Sequence, residues 1–182
     1  MKKIYEGVFL LVVILSAVSY AQVTFPYVIQ NNDSTVNLGF SLYGLADVNH
    51  DGYRDLVISA ISSGLLSGKV FVHSGKDFSR LYTFIYRLAG ENYGLACVDA
   101  NQDEYPDIVI PCRDSSEYIA VHSGKDGSLI YQKEVTTRIT SINSISDFNG
   151  DGIDEILIGG MRSSLVLSGK DGTQIHDLAT PL

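Results

Sequence analysis

Short runs of consecutive aliphatic residues recur along the chain, and each follows a polar, acidic segment. The three clearest runs are Leu56–Ile58, Ile108–Ile110 and Ile156–Ile158. A continuous aliphatic run of this length is typical of a strand that is buried on both faces. No persuasive helical period occurs after the first 21 residues. The pattern therefore predicts an all-β protein.

Further strands are predicted around a second recurring segment, Ser-Gly-Lys-Asp. Strands that end at this segment cover residues 70–72, 118–121 and 165–167. The Gly and Asp favour a tight hairpin turn, after which residues 81–86, 129–131 and 174–176 form a more mixed strand. Another strand candidate precedes each acidic segment, as at residues 93–98. Each unit thus contains about four short strands.

Two sequence markers keep the same order three times, which identifies a repeat protein. The acidic segments begin at Asp47, Asp99 and Asp147, which are 52 and 48 residues apart, and the Ser-Gly-Lys-Asp segments begin at Ser74, Ser123 and Ser168. Four antiparallel strands that repeat at this length are typical of a propeller blade. We predict three four-stranded antiparallel blades of an incomplete β-propeller, with repeats at about 38–86, 87–134 and 135–182.

The acidic segments are predicted to bind Ca²⁺, which prefers six to eight hard oxygen ligands. Each segment offers side-chain oxygens at positions 1, 3 and 5, a backbone carbonyl at position 7 and a carboxylate at position 9. The candidate ligands are Asp47, Asn49, Asp51, Tyr53 and Asp55 in the first loop; Asp99, Asn101, Asp103, Tyr105 and Asp107 in the second; and Asp147, Asn149, Asp151, Ile153 and Glu155 in the third.

Two other interpretations of these loops differ in strength. An EF-hand needs flanking helices and a bidentate Glu at position 12, where this chain has Ile58, Ile110 and Ile158, so the EF-hand interpretation fails. The interpretation of the loops as metal-free Asx turns stays open, because Asp and Asn also stabilise turns by bonding to their own backbone. The first loop is the cleanest match, whereas Glu104 and Pro106 make the second the one expected to bind weakly or to be empty.

The first 21 residues have the pattern of a secretory signal peptide. Lys2 and Lys3 precede an apolar run over residues 8–18, and small residues precede a cleavage site after Ala21. The run is shorter than the roughly 20 residues needed to span a bilayer, and nothing later in the chain is apolar for long enough. Residues 22–37 would form a lead-in strand. We therefore expect a secreted protein without a membrane span after signal removal.

Charge and cysteine content narrow the picture further. The net charge is −8, and it becomes −9 without Lys2, Lys3 and Glu6. This acidity argues against a nucleic-acid partner, which requires clustered Lys and Arg. Export permits a disulfide between Cys97 and Cys112, the only two cysteines. The alternative is two buried thiols that act as small hydrophobic side chains.

The acidic loop followed by an aliphatic strand resembles the FG-GAP repeats of the integrin α-chain propeller and the related VCBS-type repeats of secreted bacterial proteins. Phe40–Gly44 and Tyr93-Gly94 resemble degraded forms of the Phe-Gly element. The resemblance extends from about Leu38 to Asp177. It implies a calcium-stiffened β-propeller that serves as an adhesion or ligand-binding platform. Since closure of a propeller needs at least four blades, it also implies a longer parent chain, assembly of copies or irregular capping.

Two classes of function follow from these observations. The first is a secreted binding or structural module whose ligand is an unknown protein or glycan. The second is a fragment of a calcium-dependent enzyme that acts on extracellular polysaccharide. The carboxylates are better explained as metal ligands, and the sequence offers no other acid–base pair, so we expect no catalysis.

Overall fold

The computed structural model describes residues 29, 36–62, 68–87, 94–161 and 163–178. The predicted signal peptide (1–21) and nearly all of the predicted lead-in strand lie outside these residues. Within them, no helix is long and apolar enough to cross a membrane. The described part of the chain forms twelve strands: β1 (Val36–Gly44), β2 (Leu56–Ser62), β3 (Gly68–His73), β4 (Arg80–Tyr86), β5 (Ala96–Val98), β6 (Asp107–Arg113), β7 (Glu117–His122), β8 (Leu129–Val135), β9 (Ile139–Ile145), β10 (Glu155–Gly160), β11 (Ser164–Leu167) and β12 (Gln174–Asp177).

The strands form three separate four-stranded sheets in chain order. The sheets contain β1–β4, β5–β8 and β9–β12, and the neighbours within each sheet are consecutive in sequence. Every pair is antiparallel. This is the meander of a propeller blade repeated three times. The predicted fold class, all-β with three four-stranded antiparallel blades, is confirmed.

The aliphatic runs occupy the second strand of each sheet, which has hydrogen-bonded neighbours on both sides. Ile108, Val109 and Ile110 on β6 are all fully buried. The fourth strands are mixed because they lie at the sheet edge. On β4, for example, Phe84 is buried while Ile85 is exposed. The difference in composition between the strands therefore follows their position in the sheet.

Consecutive sheets pack face to face through two hydrophobic clusters. The first cluster joins Val57 and Val72 of the first sheet to Ile108 and Ile110 of the second. The second cluster joins the opposite face of the second sheet, which includes Val109, to the third sheet. Alternate residues of β6 thus point to different neighbours, as the period of two requires.

A tyrosine hydroxyl links each sheet to the next. Tyr82 on β4 donates to the carbonyl of Gly124 at 2.7 Å, and Tyr131 on β8 donates to the carbonyl of Gly169 at 2.7 Å. Both acceptors lie in the Ser-Gly-Lys-Asp turn of the following sheet. The recurring turn is therefore a docking point between neighbouring sheets as well as a hairpin connection.

The two cysteines are free thiols, which agrees with the second of the two alternatives, small hydrophobic side chains, and not with the disulfide. Cys97 pairs with Ile108 across β5 and β6, whereas Cys112 lies four residues further along β6. At about 3.4 Å per residue, this offset is roughly 14 Å, well beyond the ~7 Å that a disulfide tolerates between Cα atoms. Cys112 is buried in the first hydrophobic cluster, and Cys97 packs against it.

Candidate metal centres

The three acidic loops share one backbone conformation. Positions 4 and 6 of every loop have a positive φ between 57° and 90°. These positions are His50 and Gly52, Gln102 and Glu104, and Gly150 and Gly152. Glycine adopts this conformation without cost, whereas other residues are disfavoured by roughly 1–2 kcal/mol. The third loop therefore has two favourable residues, the first loop one and the second loop none.

Side-chain oxygens in the first loop turn inward onto the backbone. Asp47 accepts hydrogen bonds from the amides of Asp51 (3.0 Å) and Gly52 (2.8 Å). Asn49 accepts from the amide of Asp51 at 3.1 Å, and Asp51 accepts from the amide of Tyr53 at 3.0 Å. These local bonds are those of an Asx turn. They position the carboxylates, and they leave further lone pairs of the same oxygens for another ligand.

The same bonds recur in the other loops, which shows that the candidate ligands are equivalent. Asp99 accepts from the amides of Asp103 and Glu104, and Asn101 accepts from the amide of Asp103. In the third loop, the corresponding acceptors are Asp147 and Asn149. The amides of the position-7 residues Tyr105 and Ile153 donate to Asp103 and Asp151, both at 3.0 Å.

Two of the three loops bring three carboxylates together. One oxygen from each member of a triplet lies within 4.8 Å of the others, and the two triplets are Asp47, Asp51 and Asp55, and Asp147, Asp151 and Glu155. Among the described residues, Asp99, Asp103 and Asp107 form no such group. Carboxylates this close repel one another in the absence of a cation. The first and third loops therefore fit a hard divalent cation better than the second.

The carboxylate at position 9 is buried and holds the loop together. Asp55 accepts from the amide of Val48 (2.8 Å) and from the amide of Gly75 (3.0 Å) in the following turn. Asp107 is bonded in the same way to Ala100 (2.9 Å) and Gly124 (3.0 Å). Burial raises the pKa of Asp55 and raises that of Asp107 to about 6. These carboxylates have a structural role that the sequence analysis did not assign.

Glu155 replaces this aspartate in the third loop and makes different bonds. Its two oxygens accept from the amides of Phe148 (2.7 Å) and Asn149 (3.2 Å), both within its own loop. The Glu155 side chain is fully buried, and the Asp55 side chain is almost fully buried. The position-9 carboxylate of this loop, carried by the longer glutamate side chain, thus still lies close to those of Asp147 and Asp151.

The Ser-Gly pair of the turn completes the first centre. Ser74 donates its hydroxyl to Asp51 at 2.6 Å, which is the main reason that the pKa of Asp51 is lowered. In the third loop, the amide of Gly152 is the main cause of the lowered pKa of Asp147. Both aspartates therefore stay ionised at neutral pH and can serve a metal ion.

Glycine is required next to this serine in all three turns. A Cβ on Gly75, Gly124 or Gly169 would overlap the backbone carbonyl of the position-8 residue in the acidic loop. The Ser-Gly pair thus belongs to the candidate centre, although its glycine lies 15 to 21 residues after the position-8 residue that it contacts. Its threefold recurrence in step with the loops was the available sequence signal.

The first two loops are in direct contact. The ring of His50 stacks on Tyr105, with centroids 4.1 Å apart and planes inclined by 11°. Nε2 of His50 lies 2.8 Å from the carbonyl of Glu104. Lys125 also contacts Tyr105, with its Nζ over the ring and 5.2 Å from the ring centroid. Position 4 of the first loop therefore supports positions 6 and 7 of the second.

Comparison with known proteins gives a short stretch of sequence similarity. No protein-family model matches the chain. Integrin alpha-4 of Xenopus laevis is 32% identical over 56 residues, which is 31% of this chain and 5% of that protein. The similarity supports the resemblance to integrin α-chain repeats over this stretch, whereas the more specific FG-GAP assignment is not confirmed by a family model.

Among solved structures, the chain is similar in outline to parts of three larger proteins. BamB from Moraxella catarrhalis gives a TM-score of 0.49 at 15% identity, over 80% of this chain and 39% of that one. The BBS1N chain of a complex with ARL6DN gives 0.47 at 11%, over 78% and 36%. A europium-containing methanol dehydrogenase gives 0.45 at 11%, over 80% and 27%. The chain thus spans well under half of each solved chain.

Proposed function

We propose that this chain is a calcium-stabilised, propeller-type repeat module of an exported protein that binds a protein or glycan ligand and catalyses no reaction. The observation behind the proposal is the pair of carboxylate triplets, each with oxygens within 4.8 Å of one another. Ca²⁺ is the preferred cation because all candidate ligands are oxygens, and Ca²⁺ takes six to eight oxygen ligands, of which some can be water. Further blades of a longer chain, or a second copy, would complete the ring.

The first triplet joins its loop to a turn of the same sheet and lies beside the second loop, which gives calcium a structural role. In the first loop, Asp51 and Asp55 are bonded to the turn after β3, and His50 contacts the second loop. A cation that neutralises this triplet would remove carboxylate repulsion at a junction of three segments. Calcium binding to the folded state should therefore stabilise the stacking of the sheets.

The export part of the proposal has separate support. The basic start, the short apolar run and the small residues before position 22 are a secretory signal pattern. Calcium is available at millimolar concentration outside cells, where modules typically bind with dissociation constants of about 10⁻⁴–10⁻³ M. An exported location and weak calcium loops are therefore consistent with each other.

Calorimetric titration of the chain lacking residues 1–21 tests the proposal. We expect two Ca²⁺ sites and a higher melting temperature in calcium than in EDTA, since a site filled at a hundredfold excess over Kd adds about 2.7 kcal/mol. Asp51→Asn and Asp151→Asn should each weaken one site at least tenfold. Asp103→Asn in the second loop is the matched control and should leave both sites in place.

Two results would overturn this function. Equal melting temperatures in calcium and EDTA would mean that the loops are ordinary Asx turns. Turnover on a panel of polysaccharides, lost in a folded Asp51→Asn variant, would favour the calcium-dependent enzyme instead.

A further inference from the structure

A cavity of about 510 Å³ lies where the first strands of the three sheets run into the acidic loops. Its walls come from all three repeats and include residues 44–46, 95–99 and 143–144. The volume falls within the range of roughly 300–1,000 Å³ that small-molecule sites occupy.

The repeats differ where their side chains line the cavity. Position 8 of the acidic loop is Arg54 in the first repeat, Pro106 in the second and Asp154 in the third, and all three line the wall. Yet their backbone carbonyls meet the turn glycine in the same way in every repeat. The backbone contact at position 8 is thus the same in all three repeats, whereas the side chain there is cationic in the first, uncharged in the second and anionic in the third. Such divergence fits an asymmetric ligand better than a structural role.

Arg54 presents a fixed cationic group to the cavity. Its Nε–H donates to the carbonyl of Leu45 at 3.0 Å, which holds the side chain in place. Among the described residues, no carboxylate forms an ion pair with this guanidinium, although Asp55 is its neighbour in sequence. The two terminal nitrogens of an arginine form a planar fork that matches a carboxylate with two parallel hydrogen bonds.

The rest of the wall suits hydroxyl groups. Asp154 accepts one bond from the amide of Asp147 at 3.2 Å, which leaves capacity on its carboxylate. Asn143 and Ser144 on β9 are exposed and add an amide and a hydroxyl. Burial raises the pKa of the Cys97 thiol to about 11, so it is neutral at pH 7 and is no nucleophile.

We infer that this cavity binds a hexuronate, a sugar residue that carries a carboxylate, with the carboxylate on Arg54 and hydroxyls on Asp154, Asn143 and Ser144. The inference rests on the ligand-binding role proposed above and specifies its ligand class. It is also coupled to calcium, because Asp99 in the wall and the adjacent triplet of Asp47, Asp51 and Asp55 would repel the anion unless cations neutralised these loops.

NMR titration of the chain lacking residues 1–21 with the methyl glycoside of galacturonate, whose carboxylate is free, in millimolar calcium tests this inference. We expect saturable shifts in amides around the cavity, at least tenfold weaker binding by Arg54→Gln and partial recovery in Arg54→Lys. Arg138→Gln, which changes an exposed arginine outside the cavity, is the matched control and should bind as the unchanged chain does. Methyl galactoside, which lacks the carboxylate, should bind far more weakly.

Each other outcome overturns the inference. No binding of the uronate, equal binding of the neutral galactoside or an unchanged affinity in Arg54→Gln would do so. Equal binding of glutarate, a carboxylate without a sugar ring, would indicate recognition of a peptide-like acid instead. The calcium-dependent melting temperature, measured on the same samples, separates failure of this site from failure of the calcium centres.

Discussion

The hydroxyl of Tyr86 in the first sheet lies 2.7 Å from Nε2 of His122 in the second. Nδ1 of His122 lies 3.0 Å from the carbonyl of Gly127 and must donate to it, so Nε2 is the acceptor and Tyr86 the donor. Burial lowers the pKa of His122, in keeping with a neutral ring. At the same repeat positions of the next interface stand Val135 and Leu167, both in one apolar cluster. At these positions the first interface therefore holds a hydrogen-bonded pair, and the second holds an apolar pair.

Removal of the Tyr86 hydroxyl should destabilise the first interface. Tyr86→Phe leaves a buried imidazole nitrogen without its donor, at a cost of about 1–2 kcal/mol in the free energy of unfolding measured by urea. In a His122→Leu background the same change should cost much less, since no acceptor remains. An equal cost in both backgrounds would show that the hydrogen bond contributes nothing to stability.

The turn glycine predicts a contrast between two glycine substitutions. Gly124→Ala places a Cβ against the carbonyl of Pro106, which is backbone and cannot rotate away. We expect a loss of about 3 kcal/mol in the free energy of unfolding. Gly44→Ala meets nothing within 4 Å and should change stability by less than about 0.5 kcal/mol. Similar losses in both variants would contradict the close approach of turn and loop.

Most of the fold was predictable because its signals are local. The aliphatic runs at Ile108–Ile110 and its two counterparts mark central strands, and the acidic loops mark the turns between strands. The role of Asp55 was not predictable, because its bond to the amide of Gly75 depends on how a loop and a later turn meet in space. The cysteines could not be assigned either, since register decides that Cys97 faces Ile108 and not Cys112.

Part of the backbone strain in the second loop was predictable from the sequence. Glu104 at position 6 was recognised as a residue that glycine would improve, and its φ of 71° bears this out. Position 4 gave no such signal, although Gln102 there also has a positive φ of 57°. Only the folded backbone shows that two left-handed residues are needed in each loop.

Relief of this strain should stabilise the second loop. Glu104→Gly keeps the amide that donates to Asp99 and removes an unfavourable left-handed side chain. We expect a gain of about 1 kcal/mol in the free energy of unfolding, measured in EDTA so that calcium does not contribute. The reverse change in the third loop, Gly152→Glu, should lose a similar amount. A loss of stability in Glu104→Gly would mean that its side chain makes a compensating contact.

Asp107 provides a test of the second loop through pH. Burial raises its pKa to about 6 in the folded chain, against an ordinary value of 3.8. The folded state then holds this proton over a range in which the unfolded chain has lost it. The contribution of Asp107 to stability is therefore favourable below about pH 4 and is lost as pH rises to about 6.

Carbon-detected NMR in EDTA should give a titration midpoint near 6 for the carboxylate of Asp107, whereas Asp51 should titrate below 3.8. A midpoint near 4 for Asp107 would show that its bonds to the amides of Ala100 and Gly124 outweigh the cost of burial.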